Sequence, residues 1–126
     1  MEVKHLKDSP EAIALEKAII DKWVEVKEVT INRFLHTKNL GVGEKEAISL
    51  AFNLKIPVLI DDDSAKVYAS LLGVEAHGSF YAIYLACLKK FISKEEAKKI
   101  FKDLMKEGFY ASTELYLRFL DLLDEL

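Results

Sequence analysis

The sequence predicts an α/β domain that runs on into an all-helical tail, and three observations carry that prediction. Pro57-Val-Leu-Ile60 is a short, continuous apolar run of the kind that forms a strand buried on both faces in a parallel sheet. A helix-period stretch opened by Gly41 and Gly43 precedes it, and another, stopped by Gly73, follows it. From residue 79 onward only helical spacing recurs.

The first helix starts at Ser9-Pro10-Glu11. The serine hydroxyl can cap it, proline suits the first helical position, and the acid favours the positive end of the helix dipole. Ala12, Leu15, Ile19 and Trp23 then recur at helical spacing. Around Trp23 the period changes. Val24, Val26 and Val29, interleaved with Glu25 and Lys27, predict a short, partly exposed strand. Residues 30–37 read as a helical turn followed by loop. The next helix is expected over residues 44–54, with Ala47, Leu50, Ala51 and Leu54 apolar, and a further one over 64–72. Val74–Ala76 predicts a second short parallel strand. In the tail, helices are expected over 80–90, 93–107 and 113–125, with Ser93 and Glu96 forming a capping box and Gly108 a stop. No repeat or linker divides the chain, so residues 1–126 read as one domain, an α/β part over 1–78 and a tail over 79–126.

Composition narrows the function classes. Hydrophobic residues at 51% and charged residues at 31% are the balance of a globular protein rather than a disordered one. A net charge of −3 disfavours bulk coating of nucleic acid, although a local basic face can still track phosphates. Cys87 is the single cysteine, which excludes an internal disulfide and a multi-cysteine zinc site. It lies in YAIYLACLKK, where apolar helical spacing reads it as a buried small hydrophobe. No run reaches the roughly 18 apolar residues of a membrane span, and MEVKHLKDSPEA lacks the apolar centre of a signal peptide. The expectation is a cytoplasmic protein with no membrane partner.

The chemistry-bearing residues gather around one helix–strand–helix unit. Ligands of open α/β sheets sit at the carboxyl ends of the strands, and Asp61, Asp62 and Asp63 leave the 57–60 run at that end. Glu44 stands in the first turn of the preceding helix. At about 100° per residue it projects with Ala47, Ile48 and Ala51, whereas Glu46 points nearly opposite. Several carboxylates at one rim are what Mg²⁺ or Mn²⁺ requires, and such an ion can activate water for phosphodiester cleavage. Helix punctuation is the competing explanation: Glu44 suits a helix N-terminus, and Asp62 or Asp63 can serve as an N-cap. His5, His36 and His77 make no zinc spacing. Gly41-Val-Gly43 lacks the later glycine of a dinucleotide loop and the lysine of a P-loop. The aromatic residues of the tail read mostly as core. Its lysines, Lys94, Lys98 and Lys102 among them, read as a solvated face that can also carry an RNA backbone.

LGVGEKEAISLA (40–51) followed by VLIDDDSAKVYASLLGV (58–74) resembles the centre of stand-alone prokaryotic PIN-domain proteins, relatives of the VapC toxin nucleases. HGSFYAIYLACLKKFISKEEA (77–97) and EGFYASTELYLRFL (107–120) resemble the helical continuation of one branch of that family. The resemblance implies a three-layer α/β/α sandwich around a short parallel sheet, and a Mg²⁺- or Mn²⁺-dependent endoribonuclease. It matches Glu44 to the acid opening the family's third acidic helix, with Glu46 as a second ligand. Asp62 matches the acid after the fourth strand, and Asp61 is its neighbour. It also implies a toxin role with an antitoxin protein as partner.

One departure shapes the expectations. The family's first, central strand, which carries its first aspartate, has no counterpart before residue 10, so the chain reads as N-terminally truncated. Met1–Lys4 resembles the end of the next helix, which matches Glu2 to a family glutamate. A site short of one acid binds metal weakly, and a sheet with a central gap leaves backbone groups unpaired. The expectation is a homodimer that closes the gap by exchanging an element. The alternative to a ribonuclease is a catalytically incomplete PIN relative acting in dimerisation or binding.

Overall fold

The computed structural model describes residues 9–108 and 111–126. Its elements run α1 (Pro10–Ile20), a 3-10 turn at Arg33–Leu35, α2 (Val42–Leu54), β1 (Val58–Leu59), α3 (Asp63–Leu71) and β2 (Ala76–His77). The helical tail follows as α4 (Ser79–Leu88), α5 (Lys94–Lys106) and α6 (Thr113–Asp124). The two strands pair in parallel, Val58 opposite Ala76 and Leu59 opposite His77. This is the α/β class expected, mostly helical around a short parallel sheet. Among the described residues no helix is long and apolar enough to cross a membrane.

Local chemistry explains the helix boundaries. The Ser9 hydroxyl accepts the Ala12 N–H at 3.1 Å, with proline at the first helical position. Ser93 and Glu96 form the reciprocal capping box, at 3.1 and 3.2 Å. Gly108, at φ +94°, adopts the left-handed conformation that ends α5 after Glu107.

Two cores form. Leu35, Ile48, Ala51, Val58, Ile60, Ala65, Ala69 and Val74 bury together where α2 and α3 meet the sheet. Ile83, Cys87, Ala97, Phe101, Phe119 and Leu123 form the second, among α4, α5 and α6. Cys87 is buried in it, as its helical spacing predicts.

Three expectations are corrected. Trp23 is not part of the first helical face: Lys22 turns left-handed at φ +65° and ends α1, leaving Trp23 75% exposed. The 57–60 run is buried on one face only. Val58 and Ile60 face the core, while Leu59, on the opposite face, is 57% exposed. An apolar run cannot reveal whether a packing layer covers each face. The Val24–Val29 segment is not assigned to a sheet, because no strand lies beside it among the described residues.

Candidate functional site

The parallel pairing brings the carboxyl ends of β1 and β2 together, and the chain leaves each end into a helix whose amino terminus points at the same place. β1 delivers Asp61 and Asp62 to the start of α3, and β2 delivers Gly78 to the start of α4. The floor between them is a cleft of about 660 Å³, lined by Asp61, Asp62, Asp63, Lys66, Gly78, Phe80, Tyr81, Ser112 and Leu115. Helix N-termini carry partial positive charge, which lets adjacent carboxylates stand close together here.

Each acid has a distinct attachment. Asp61 reaches across to α4, where Oδ1 accepts the Ser79 N–H at 2.7 Å and Oδ2 accepts the Ser79 hydroxyl at 2.6 Å. It thereby caps a helix whose own capping residue, Gly78, has no side chain to offer. A Cβ on Gly78 would lie 2.9 Å from Asp61 Oδ1 and 3.2 Å from Lys66 Nζ. Glycine at this position therefore lets the carboxylate and the ammonium group close over the backbone. Asp62 is the N-cap of α3, with Oδ1 accepting the Ala65 N–H at 2.8 Å. Among the described residues its Oδ2 and the whole carboxylate of Asp63 have no hydrogen-bond or ion-pair partner, and both residues line the cleft.

Glu44 is half-buried and Glu46 exposed, as their helical phase predicts. The Glu44 side chain folds back so that Oε1 accepts the Gly41 N–H at 3.0 Å. Gly41 has no hydroxyl to return the bond, so half of a capping box is made. Glu44 and Glu46 are not among the residues lining the Asp61–Asp63 cleft. Glu2 lies outside the described residues. Among the described residues no group of three or more His, Cys, Asp or Glu is gathered closely enough to hold a metal ion by itself.

Lys94, Lys98 and Lys102 follow one another at four-residue steps along α5, and none of them lines the cleft. The cation that does so is Lys66, one turn beyond Asp62 on α3. Lys66 and Tyr81 are cleft residues that the sequence reading did not assign to the site. The spacing of Lys66 from Asp62 was the available signal for the first. Tyr81 stacks on His77 with ring centroids 3.8 Å apart and planes 14° apart, and His77 Nε2 lies 3.2 Å from Glu75 Oε1. The cleft lining therefore combines aromatic rings, Phe80 and Tyr81, with the three carboxylates.

The family model DUF3368, described as a PIN domain, matches residues 1–125. No curated protein and no solved structure matches the chain. The PIN domain is a nuclease-like fold, and PIN domains generally use divalent metal ions. A match of that length spans the α/β half and the helical tail alike, so this chain belongs to the PIN-domain family.

Proposed function

We propose that the chain is a Mg²⁺- or Mn²⁺-dependent endoribonuclease of the PIN type, with the Asp61–Asp63 cleft as its RNA site. The observation that carries this reading is the pair Asp62 and Asp63, adjacent at the carboxyl end of β1, with free carboxylate oxygens facing one cleft. Mg²⁺ keeps several waters and is commonly held by one or two carboxylates together with substrate phosphate. A two-carboxylate rim fits an ion of that kind, shared with the substrate, rather than one caged by the protein. Asp62 and Asp63 would hold it; the family resemblance also implies Glu44, Glu46 and Glu2 as ligands, of which Glu44 and Glu46 do not line this cleft. When bound, the ion supplies an activated water and stabilises the charge that develops on the phosphate.

The remaining groups act by binding and positioning. Asp61, held by Ser79, fixes the carboxyl end of β1 against α4 and so sets where Asp62 starts α3. Lys66 offers a cation to a phosphate, and the Tyr81 ring offers a face to a base. Three carboxylates against one lysine leave the cleft negative, so a polyanion enters only with a cation already in place. RNA binding in the cleft therefore requires divalent metal. The lysines at 94, 98 and 102 hold RNA outside it.

A second reading, a catalytically incomplete PIN relative that works by binding, is favoured by one observation. Asp61 spends both oxygens, and Asp62 and Glu44 one each, on backbone or hydroxyl groups at helix starts. Incubation of a labelled single-stranded RNA with Mn²⁺ separates the two. The nuclease reading expects cleavage that EDTA abolishes and that Asp62→Asn lowers by orders of magnitude, because an asparagine amide still caps α3 while losing the charge. Intact RNA at millimolar Mn²⁺ leaves the binding reading. A toxin role with an antitoxin partner predicts growth arrest on expression in a bacterial host; unimpaired growth contradicts it.

A further inference from the structure

Tyr81 is the aromatic residue of the cleft that core packing does not explain. Its neighbour Phe80 stacks on Phe101 and packs against the helical core, whereas Tyr81 joins neither core and is 41% exposed. One face of its ring is covered, because the His77 imidazole lies against it at 3.8 Å and 14° from parallel. With that face filled, the exposure belongs to the opposite face and the hydroxyl edge, on a residue that lines the cleft. The stack is anchored at both rings. His77 is the last residue of β2, its carbonyl accepts the Ile60 N–H at 2.8 Å, and its Nε2 lies 3.2 Å from Glu75 Oε1. The Tyr81 N–H donates to the Gly78 carbonyl at 3.1 Å, in the first turn of α4. Asp61 clasps Ser79 of that same turn, and the chain runs from Asp61 straight into Asp62 and Asp63. Two hydrogen bonds therefore tie the turn that carries the ring to the acidic rim.

We infer that Tyr81, backed by His77, is the base-stacking platform of the cleft and makes it select a purine nucleotide beside the scissile phosphate. The platform rests on the ribonuclease reading of the cleft and adds a base preference to it. A cleft of about 660 Å³ has room for a base next to a metal-bound phosphate. Because the ring and the rim are tied together, that base and that phosphate are held at one separation, which a single nucleotide can span. Stacking accepts every base, since each has a π face, but the larger two-ring face of a purine gains more from it. Selectivity of this origin is a few-fold. His77 acts as a positioning residue: it touches Tyr81 rather than the base, and it holds the ring flat against the end of β2.

Steady-state cleavage of single-stranded hexa-adenylate and hexa-uridylate with Mn²⁺ tests the platform. The native chain should favour adenylate a few-fold in kcat/KM. Tyr81→Ala should lower kcat/KM on adenylate about tenfold, through KM, and erase the preference. Tyr81→Trp should keep both, because it retains a stacking face. Tyr81 lies outside both cores, so these variants keep the fold. His77→Ala should give a smaller loss of the same kind, and His77→Phe should restore the adenylate preference, since a phenyl ring can back Tyr81 without the Glu75 contact. Cleavage of both RNAs with equal kcat/KM, a preference for uridylate, or a Tyr81→Ala variant indistinguishable from the native chain overturns the platform and leaves the ribonuclease reading standing. A chain that cleaves neither RNA overturns that reading, and the platform with it.

Discussion

The two halves of this molecule solve the same packing problem differently. In the helical half, α4, α5 and α6 close around a fully buried Phe101, with the Phe80 ring stacked on it at 4.1 Å and Phe119 and Tyr116 at 4.7 and 5.1 Å. Each of these helices also receives a cap: Asp61 reaches α4, Ser93 caps α5 and Ser112 caps α6. The α/β half buries smaller side chains, several of them alanines, and leaves Leu59 exposed. The helical half closes on a large aromatic core, and the α/β half does not. Free carboxylates that line a cleft, such as those of Asp62 and Asp63, mark where a ligand can bind, and they lie in the α/β half.

That contrast breaks most severely at Phe101. Phe101→Ala should destabilise the protein by about 3–5 kcal/mol, read as a lower urea midpoint, because Phe80, Tyr116 and Phe119 lose their common contact. A small change would mean that the aromatic core is not what closes the helical half. Gly78→Ala should cost about 1–3 kcal/mol, since its Cβ meets Asp61 Oδ1 at 2.9 Å and must displace the carboxylate from Ser79. Thermal melts of Gly78→Ala and Asp61→Ala show whether the link between the halves is this cap. In the α/β half, the buried Ser49 hydroxyl accepts the Asn32 N–H at 2.8 Å and donates to the Lys45 carbonyl at 2.7 Å. Ser49→Ala leaves that N–H unpaired and should lower stability by about 1–2 kcal/mol in the same assay. The smallest effect belongs to Ser93→Ala, at about 1 kcal/mol, because the α5 cap is exposed and water substitutes for it.

Much of this architecture was legible in the residues, because it rests on local chemistry. Ser9-Pro10 and the Ser93–Glu96 box start helices through bonds spanning three residues, which a sequence displays directly. The helical phase of Glu44 against Glu46 was likewise visible, as was the burial of Cys87. What depends on distant segments was not. Nothing near Leu59 in sequence tells that its face is uncovered, and nothing near Trp23 tells that a left-handed Lys22 has already ended the helix. The acidic rim falls between these cases. Its place after β1 was readable, but the clasp of Asp61 on Ser79, 18 residues away, and the presence of Tyr81 in the cleft lining required the fold.

The central claim is that the free oxygens of Asp62 and Asp63 form a metal-binding rim. Calorimetric titration of Mn²⁺ into the chain, and into Asp62→Asn and Asp63→Asn variants, tests it most directly. The claim predicts binding by the native chain that either substitution largely abolishes, with the melting temperature of Asp62→Asn unchanged because α3 keeps its cap. No binding at millimolar metal, or binding that both substitutions leave intact, would contradict it.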